Sequence, residues 1–270
     1  MRASRSGIRS WAAAFLGAAL IAAPAAAQEM LRYLDLKSEE FSKADLSRAE
    51  VEAALAAAGP TGVVDLTGRR LNGLDLSALD LRRSKLQAAR LNKTRLVGAN
   101  LDGVVLDQAW ALGADLSEAT LRGASLFATQ LQDARLDRAD LSGARVAADL
   151  TRASLIEARF DGANLAADMR NQSMGLMRGV LRSAKLDRAS FANANLARVV
   201  LEFASLRGAN LRGAKLTGAE LAGADLEGAD VTDADFESAD VTSARLRGLE
   251  GRARARNFQG LRNLDRAILD

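Results

Sequence analysis

From Leu66 onward a large apolar residue recurs at every fifth position: Leu66, Leu71, Leu76, Leu81, Leu86, Leu91 and on to Val146, with one lapse at Ala111. This run holds seventeen units. A shifted run (Leu150, Leu155, Phe160, Leu165) adds four, and a third from Leu176 to Leu246 adds fifteen. Two positions before most centres stands a small residue, as in Ala99-Asn100-Leu101 and Ala224-Asp225-Leu226. Gly is frequent two positions after, as at Gly98, Gly123, Gly208 and Gly228. A fixed short period signals a repeat architecture, in which each unit buries its apolar side only by stacking on the next.

Each position of the unit has a physical reason. In an extended triplet alternate side chains share a side, so Ala and Leu face inward and the residue between them faces out. Gly accommodates the positive φ of a tight corner. If four units make a turn, residues 20 apart stack. Outward positions read at that spacing alternate in sign: Asp75, Arg95, Asp115, Arg135, and again Asp187, Arg207, Glu227, Arg247. Opposite charges on neighbouring strands attract and like charges repel, which favours the 20-residue turn.

The pattern is A(D/N)LXX, and across roughly residues 64 to 246 the chain resembles the pentapeptide-repeat family. The resemblance implies an all-β solenoid, a right-handed quadrilateral β-helix of about nine coils. Short helical caps are expected at both ends, because an open solenoid end is a bare apolar cross-section. Ser47-Arg48-Ala49-Glu50 reads as a capping box opening a helix to about Ala58, stopped by Gly59-Pro60. Phe258, Leu261, Leu264 and Ile268 fall at near-helical spacing and suggest the second cap.

The first 27 residues carry a different signal. Arg2, Arg5 and Arg9 precede the apolar run from Trp11 to Ala23, and Ala25-Ala26-Ala27 supplies a small-residue cleavage site before Gln28. The apolar run is shorter than the roughly 20 residues a bilayer core demands. The chain therefore divides into a signal peptide (1–27), an N-terminal helical cap (28–62), the β-helix (63–250) and a C-terminal basic segment and cap (251–270). Export is expected, to the periplasm. The chain has 37 basic and 34 acidic residues; three of the bases and none of the acids lie in the leader, which leaves 34 against 34. That balance gives no reason to expect a nucleic-acid partner.

Chemistry is scarce. The chain contains no His and no Cys, which removes the commonest general base, the thiol nucleophile and the softer metal ligands. No enzyme activity, cofactor, metal or small-molecule substrate is expected. The best-known branch of the family consists of acidic rods that mimic duplex DNA and bind type II topoisomerases; an export signal and a neutral mature charge both depart from that branch. The favoured expectation is a protein-binding or scaffold module of the cell envelope, with another envelope protein or a second copy as partner. A membrane surface is the remaining possibility.

Irregularities in the repeat point to one wall. Numbering the walls by Leu66, Leu71, Leu76 and Leu81, the lapse at Ala111 falls on the second. So do the missing residue between Val146 and Leu150 and the long step from Leu165 to Leu176. Arg70, Arg90, Trp110, Leu112, Met169 and Met174 are the candidate partner-binding residues. Trp110 is either an exposed recognition residue or a lid over the gap at Ala111, and the sequence leaves both readings open. A second candidate lies near the C-terminus, where Asp230, Asp233, Glu237 and Asp240 precede Arg252, Arg254 and Arg256. Glu220 stacks on Asp240, a repulsive pair with no evident relief. The three Arg alternate, as if on one side of an extended strand folded back on the acids.

Overall fold

The computed structural model describes residues 34–59, 61–168 and 177–270. Parallel bridges join residues 20 apart, as in Arg70↔Arg90, Asp75↔Arg95 and Asp80↔Asn100, so four pentapeptides make one coil. The only paired strands longer than one residue among the described ones are β1 (Val64–Asp65) and β2 (Ser84–Lys85). Elsewhere each wall gives a single bridged residue, bonded both ways: Leu71 donates to the Arg90 carbonyl at 2.7 Å, and Arg90 donates to the Arg69 carbonyl at 2.9 Å. The walls are short because a corner follows each extended triplet, once every five residues.

At each corner the carbonyl of the apolar centre accepts from the N–H three residues on, as Leu96 does from Ala99 at 3.0 Å. At most corners the residue between, two after the centre, has positive φ. Gly fills many of these corners, yet among the described residues eighteen non-glycine residues stand at them in the same conformation, including Ala78, Lys93, Glu118 and Phe203. The coil closure demands that backbone whatever side chain stands there, and the packed core holds it.

Inside, the Leu and Ala columns are buried from Leu66 to Leu246. Phe160 and Phe191 stack at 4.9 Å between centroids in the fourth wall's column. Thr94, at an Ala position, is buried without penalty because its hydroxyl donates to the Leu71 carbonyl at 2.7 Å.

Two irregularities displace the register. From Gln130↔Asp149 the bridge spacing is 19, and from Asp149↔Val180 it is 31 before returning to 20 at Val180↔Val200. Leu181 is thus the centre that follows Leu165 on the ladder. The expectation that Leu176 opens the third run falls on a residue outside the described ones, and the ladder gives its place to Leu181.

Below the first coil, Ser47 caps helix α2 (Arg48–Ala58) with a reciprocal bond between its backbone N–H and Glu50, and Gly59 ends it at φ 64°. Val51 is fully buried, and Leu55 packs against the core. Before it comes a strap, Asp35 to Leu46, that carries the single turn α1 (Glu39–Ser42).

The C-terminal end differs from its helical expectation. Bridge spacing widens to 21, 22 and 23 at Asp235↔Arg256, Asp240↔Arg262 and Arg245↔Ile268. Each added residue is taken up in a 3-10 turn: Arg252–Arg254, Phe258–Gly260 and Leu264–Arg266. The segment is a further coil built of six-residue units, with Gly251, Asn257 and Asn263 at its left-handed positions. Phe258 and Leu261 are buried, whereas Ile268 stands on the outer ladder.

Candidate functional site: the second wall

Two columns of outward side chains cover the second wall. One runs through Arg70, Arg90, Trp110, Gln130 and Asp149, bridged in that order. The other, two residues on in each unit, holds Asn72, Asn92, Leu112, Gln132 and Thr151. Its amides bond up the coils: the Asn72 side-chain oxygen accepts from Asn92 N–H, and that of Asn92 from Leu112 N–H, both at 3.0 Å.

The strap lies on this wall. The Asn72 side-chain amide donates to the carbonyls of Glu40 and Lys43 at 3.0 Å, and that of Asn92 to the Phe41 carbonyl at 3.1 Å. Ala44 bridges Leu71 antiparallel, and Asp45 accepts from the Arg70 N–H at 3.1 Å. Phe41 is buried, edge-on to Trp110 at 5.1 Å. The Arg90 guanidinium lies 5.2 Å from the Phe41 ring centroid and 5.8 Å from that of Trp110, and pairs with Glu40 at 2.6 Å. A cavity of about 320 Å³ remains where Leu36 and Phe41 face Asn92 and Leu112.

This arrangement answers the question about Trp110 with a third role. It is half-buried, edge-on to Phe41, and anchors the chain's own strap. Arg70, Arg90, Trp110 and Leu112 do meet on one wall, around the strap. Met169 and Met174 lie outside the described residues. The sequence reading missed Phe41, Asn72 and Asn92. The available signal was two Asn at the same wall position 20 apart.

At the C-terminal end four of the acids have cations beside them. Glu220 pairs with Arg178 at 2.8 Å, Asp230 with Arg212 at 3.0 Å, Asp233 with Arg254 at 2.6 Å and Asp240 with Arg262 at 3.6 Å. Glu220 and Asp240 stack as read, but each has its own cation. Arg252 to Arg254 form a 3-10 turn, not a strand, so the three Arg diverge. Arg252 covers Phe258 at 4.9 Å, Arg254 takes Asp233, and Arg256 donates to the Asp233 carbonyl at 3.3 Å. Glu237 stays exposed.

Outward acids also do structural work unread in the sequence. Asp75 accepts from the Ser77 N–H at 3.0 Å, Asp140 from Ser142 at 3.0 Å and Asp240 from Thr242 at 3.0 Å, each bracing the next corner. For Asp75 the bonds from Ser77 hold the carboxyl below its ordinary range. In Asp140 burial pushes upward, and the bonds from Ser142 and Arg122 outweigh it.

A four-walled coil of five-residue units with one wall laid over by its own chain defines a repeat solenoid. The chain belongs to the pentapeptide repeat family, whose model matches in eight copies over residues 80–110, 99–143, 146–166, 180–213 and 209–248. Members fold as right-handed quadrilateral β-helices. Among solved structures, the chain is similar to HetL, a pentapeptide repeat protein involved in heterocyst differentiation regulation in a Nostoc cyanobacterium. Identity is 29%, over 83% of this chain and 94% of that one, with a TM-score of 0.38. It is similar to trypsin-treated QnrB1, a plasmid-mediated fluoroquinolone resistance protein, at 18% identity over 77% and 90% of the two chains, TM-score 0.44. A pentapeptide repeat protein of the Arabidopsis thaliana thylakoid lumen is 30% identical over 43% of this chain and 74% of that one, TM-score 0.23. None of the curated proteins matches this chain in sequence.

Proposed function

We propose that this is a non-enzymatic, exported repeat protein that binds another protein in the periplasm and serves there as a scaffold. The observation that carries this reading is the strap. The second wall already holds a segment of its own chain, a single helical turn running into an antiparallel bridge, through side-chain amides to main-chain carbonyls and an aromatic anchor. Main-chain bonding of this kind gives affinity, and side-chain pockets give selectivity. A wall built to hold one segment over its first coils is suited to hold a partner's segment farther along. The leader supports export, and the charge balance after its removal lacks the dense anionic surface that mimicry of DNA needs.

The test pairs location with binding. Protein purified from the periplasmic fraction is expected to begin at Gln28, and an intact mass matching residues 1–270 in the cytoplasm would overturn export. Envelope proteins captured on the immobilised chain are expected to be lost with Gln130→Ala on the second wall and kept with Arg122→Ala on the fourth. Equal capture by both variants would overturn the assignment of the wall.

A further inference from the structure

Beyond the strap, the second wall carries a buried acceptor pair that no cation of the described residues pairs with. Asp149 is 6% exposed and Gln132 4% exposed. One Asp149 oxygen accepts from the Thr151 N–H at 2.9 Å and from its hydroxyl at 2.5 Å; the other accepts from the Gln132 amide at 2.7 Å. The same amide donates to the side-chain oxygen of Gln130 at 2.9 Å. All these donors are neutral. Among the described residues no ion pair joins Asp149. The cation Arg152 feels its charge but is committed to Asp133 at 2.6 Å. The Gln132 side-chain oxygen, on the same amide, has no hydrogen-bond partner among the described residues. A buried carboxylate without a cation and a buried carbonyl without a donor are each unfavourable, and here they are adjacent.

We infer that Asp149 and Gln132 form a binding site for the guanidinium of an arginine side chain, presented by an extended partner segment running along the second wall past Trp110. This rests on the protein-binding reading above and names the chemistry of its partner. A guanidinium carries five N–H donors in a rigid plane, stays charged, and is more weakly hydrated than an ammonium, so it suits two buried acceptors side by side. It enters past Gln130, the most exposed member of the cluster. The backbone register suits the carrier as well. Gln132 holds on the fourth coil the position that Asn72 and Asn92 hold on the first two, where they fix the strap.

The probe is the peptide Ac-Ala-Arg-Ala-amide, titrated into the full mature chain and followed by ¹H–¹⁵N NMR. Its citrulline counterpart has the same shape without the charge. The arginine peptide is expected to shift the Gln132 side-chain amide and the backbone amides of Asp149 and Thr151, and the citrulline peptide to leave them unchanged. Asp149→Asn is expected to weaken binding by at least about tenfold. Gln132→Met, which removes the unpaired oxygen at similar volume, should also weaken it, with melting temperatures showing that both variants fold. Equal shifts from the two peptides, or none at these amides, overturn the site. Free arginine binding as tightly as the peptide would overturn the polypeptide origin of the ligand. If Asp149→Asn still captures an envelope partner through the second wall, the arginine inference fails while the protein-binding reading stands. Loss of wall-dependent capture in the unaltered chain sinks that reading instead.

Discussion

The ring of Phe203 fills the space that a β-carbon on Gly223 would need. A carbon built there would lie 2.6 Å from Phe203 Cδ1 and 2.7 Å from Cε1. The two residues occupy the same corner on successive coils, and both have positive φ, 58° and 66°. At Gly228, with φ 69°, the same carbon would meet nothing within 4 Å. Gly228→Ala therefore measures backbone strain alone, about 1 kcal/mol. Gly223→Ala should cost about 1–3 kcal/mol more, because the ring must leave its place. Urea melts of the two variants check this, and Phe203→Gly should remove the difference. Identical losses would mean that the ring, 66% exposed, swings aside freely.

The inward and outward positions of one unit should differ sharply. Leu121 is fully buried, and Leu121→Ala is expected to cost about 2–5 kcal/mol. Arg122, the next residue, is mostly exposed and pairs with Asp140 at 2.9 Å. An exposed pair is worth about 0–1 kcal/mol, so Arg122→Ala should fall in that range. Denaturant midpoints in the reverse order would place the register off by one.

Trp110→Ala should free the strap without loosening the coils. Its indole touches Phe41 and Arg90, whereas the wall beneath is held by Ala111 and its own ladder bonds. Amide exchange should rise across residues 35–46 and stay low from Leu116 to Phe160. Asn92→Leu, which removes the bond to the Phe41 carbonyl, should act the same way. Faster exchange in the third coil would instead assign Trp110 to holding the wall.

The period and its 20-residue stacking are legible because the inward position repeats one requirement, a Leu-sized side chain on a column of its own kind. Stacked charges such as Asp75 and Arg95, 3.4 Å apart, were readable for the same reason. Corners were half legible: Gly marks some, but closure forces Lys93 and Phe203 into the same backbone. The strap was hidden, since Phe41 lies outside the repeat and no period ties it to Trp110. At the C-terminus a six-residue unit imitates helical spacing. Phe258 and Leu264 are six apart, and Leu261 lies between them just before the bridged Arg262, so two successive units of a widened coil look like one face of a helix.

Stability should be flat from about pH 5 to 9 and fall below about pH 4. The chain has no His or Cys to titrate in the first window. In Asp235 the bond from Asn257 holds the carboxyl below its ordinary range against the effect of burial, helped by the Glu237 N–H and the charges of Arg256 and Lys215. In Asp240 burial pushes up, and bonds from Thr242 and Asn263 with the charge of Arg262 win. A depressed folded value means that the unfolded chain takes up protons first as pH falls. The stabilisation is thus complete above the unfolded carboxylate value and is lost on descent through the folded one. Melting temperatures from pH 7 to 3 test this, and Asp240→Asn should flatten the acid limb. An acid limb unchanged by that substitution would assign the loss to other carboxylates.

The final coil should depend on its arginines locally and in a salt-sensitive way. Arg254 spans 21 residues to Asp233 with two hydrogen bonds, at 3.2 and 2.6 Å. Arg256 adds a bond to the Asp233 carbonyl, and Arg252 covers the ring of Phe258, which itself meets Phe236 edge-on at 5.8 Å. These contacts hold the widened coil on the regular one below. The ladder bonds beneath, such as Phe236 N–H to the Arg256 carbonyl at 3.1 Å, involve backbone only and survive a change of side chain. Replacing Arg252, Arg254 and Arg256 together by Gln should therefore raise amide exchange in residues 250–270 and leave the coils from Leu86 to Leu141 protected. Exposed pairs weaken as salt rises, so about 1 M NaCl should bring the unaltered chain toward the variant. Unchanged exchange in the variant, together with loss of liposome binding or self-association, would show that these arginines face outward to a second surface.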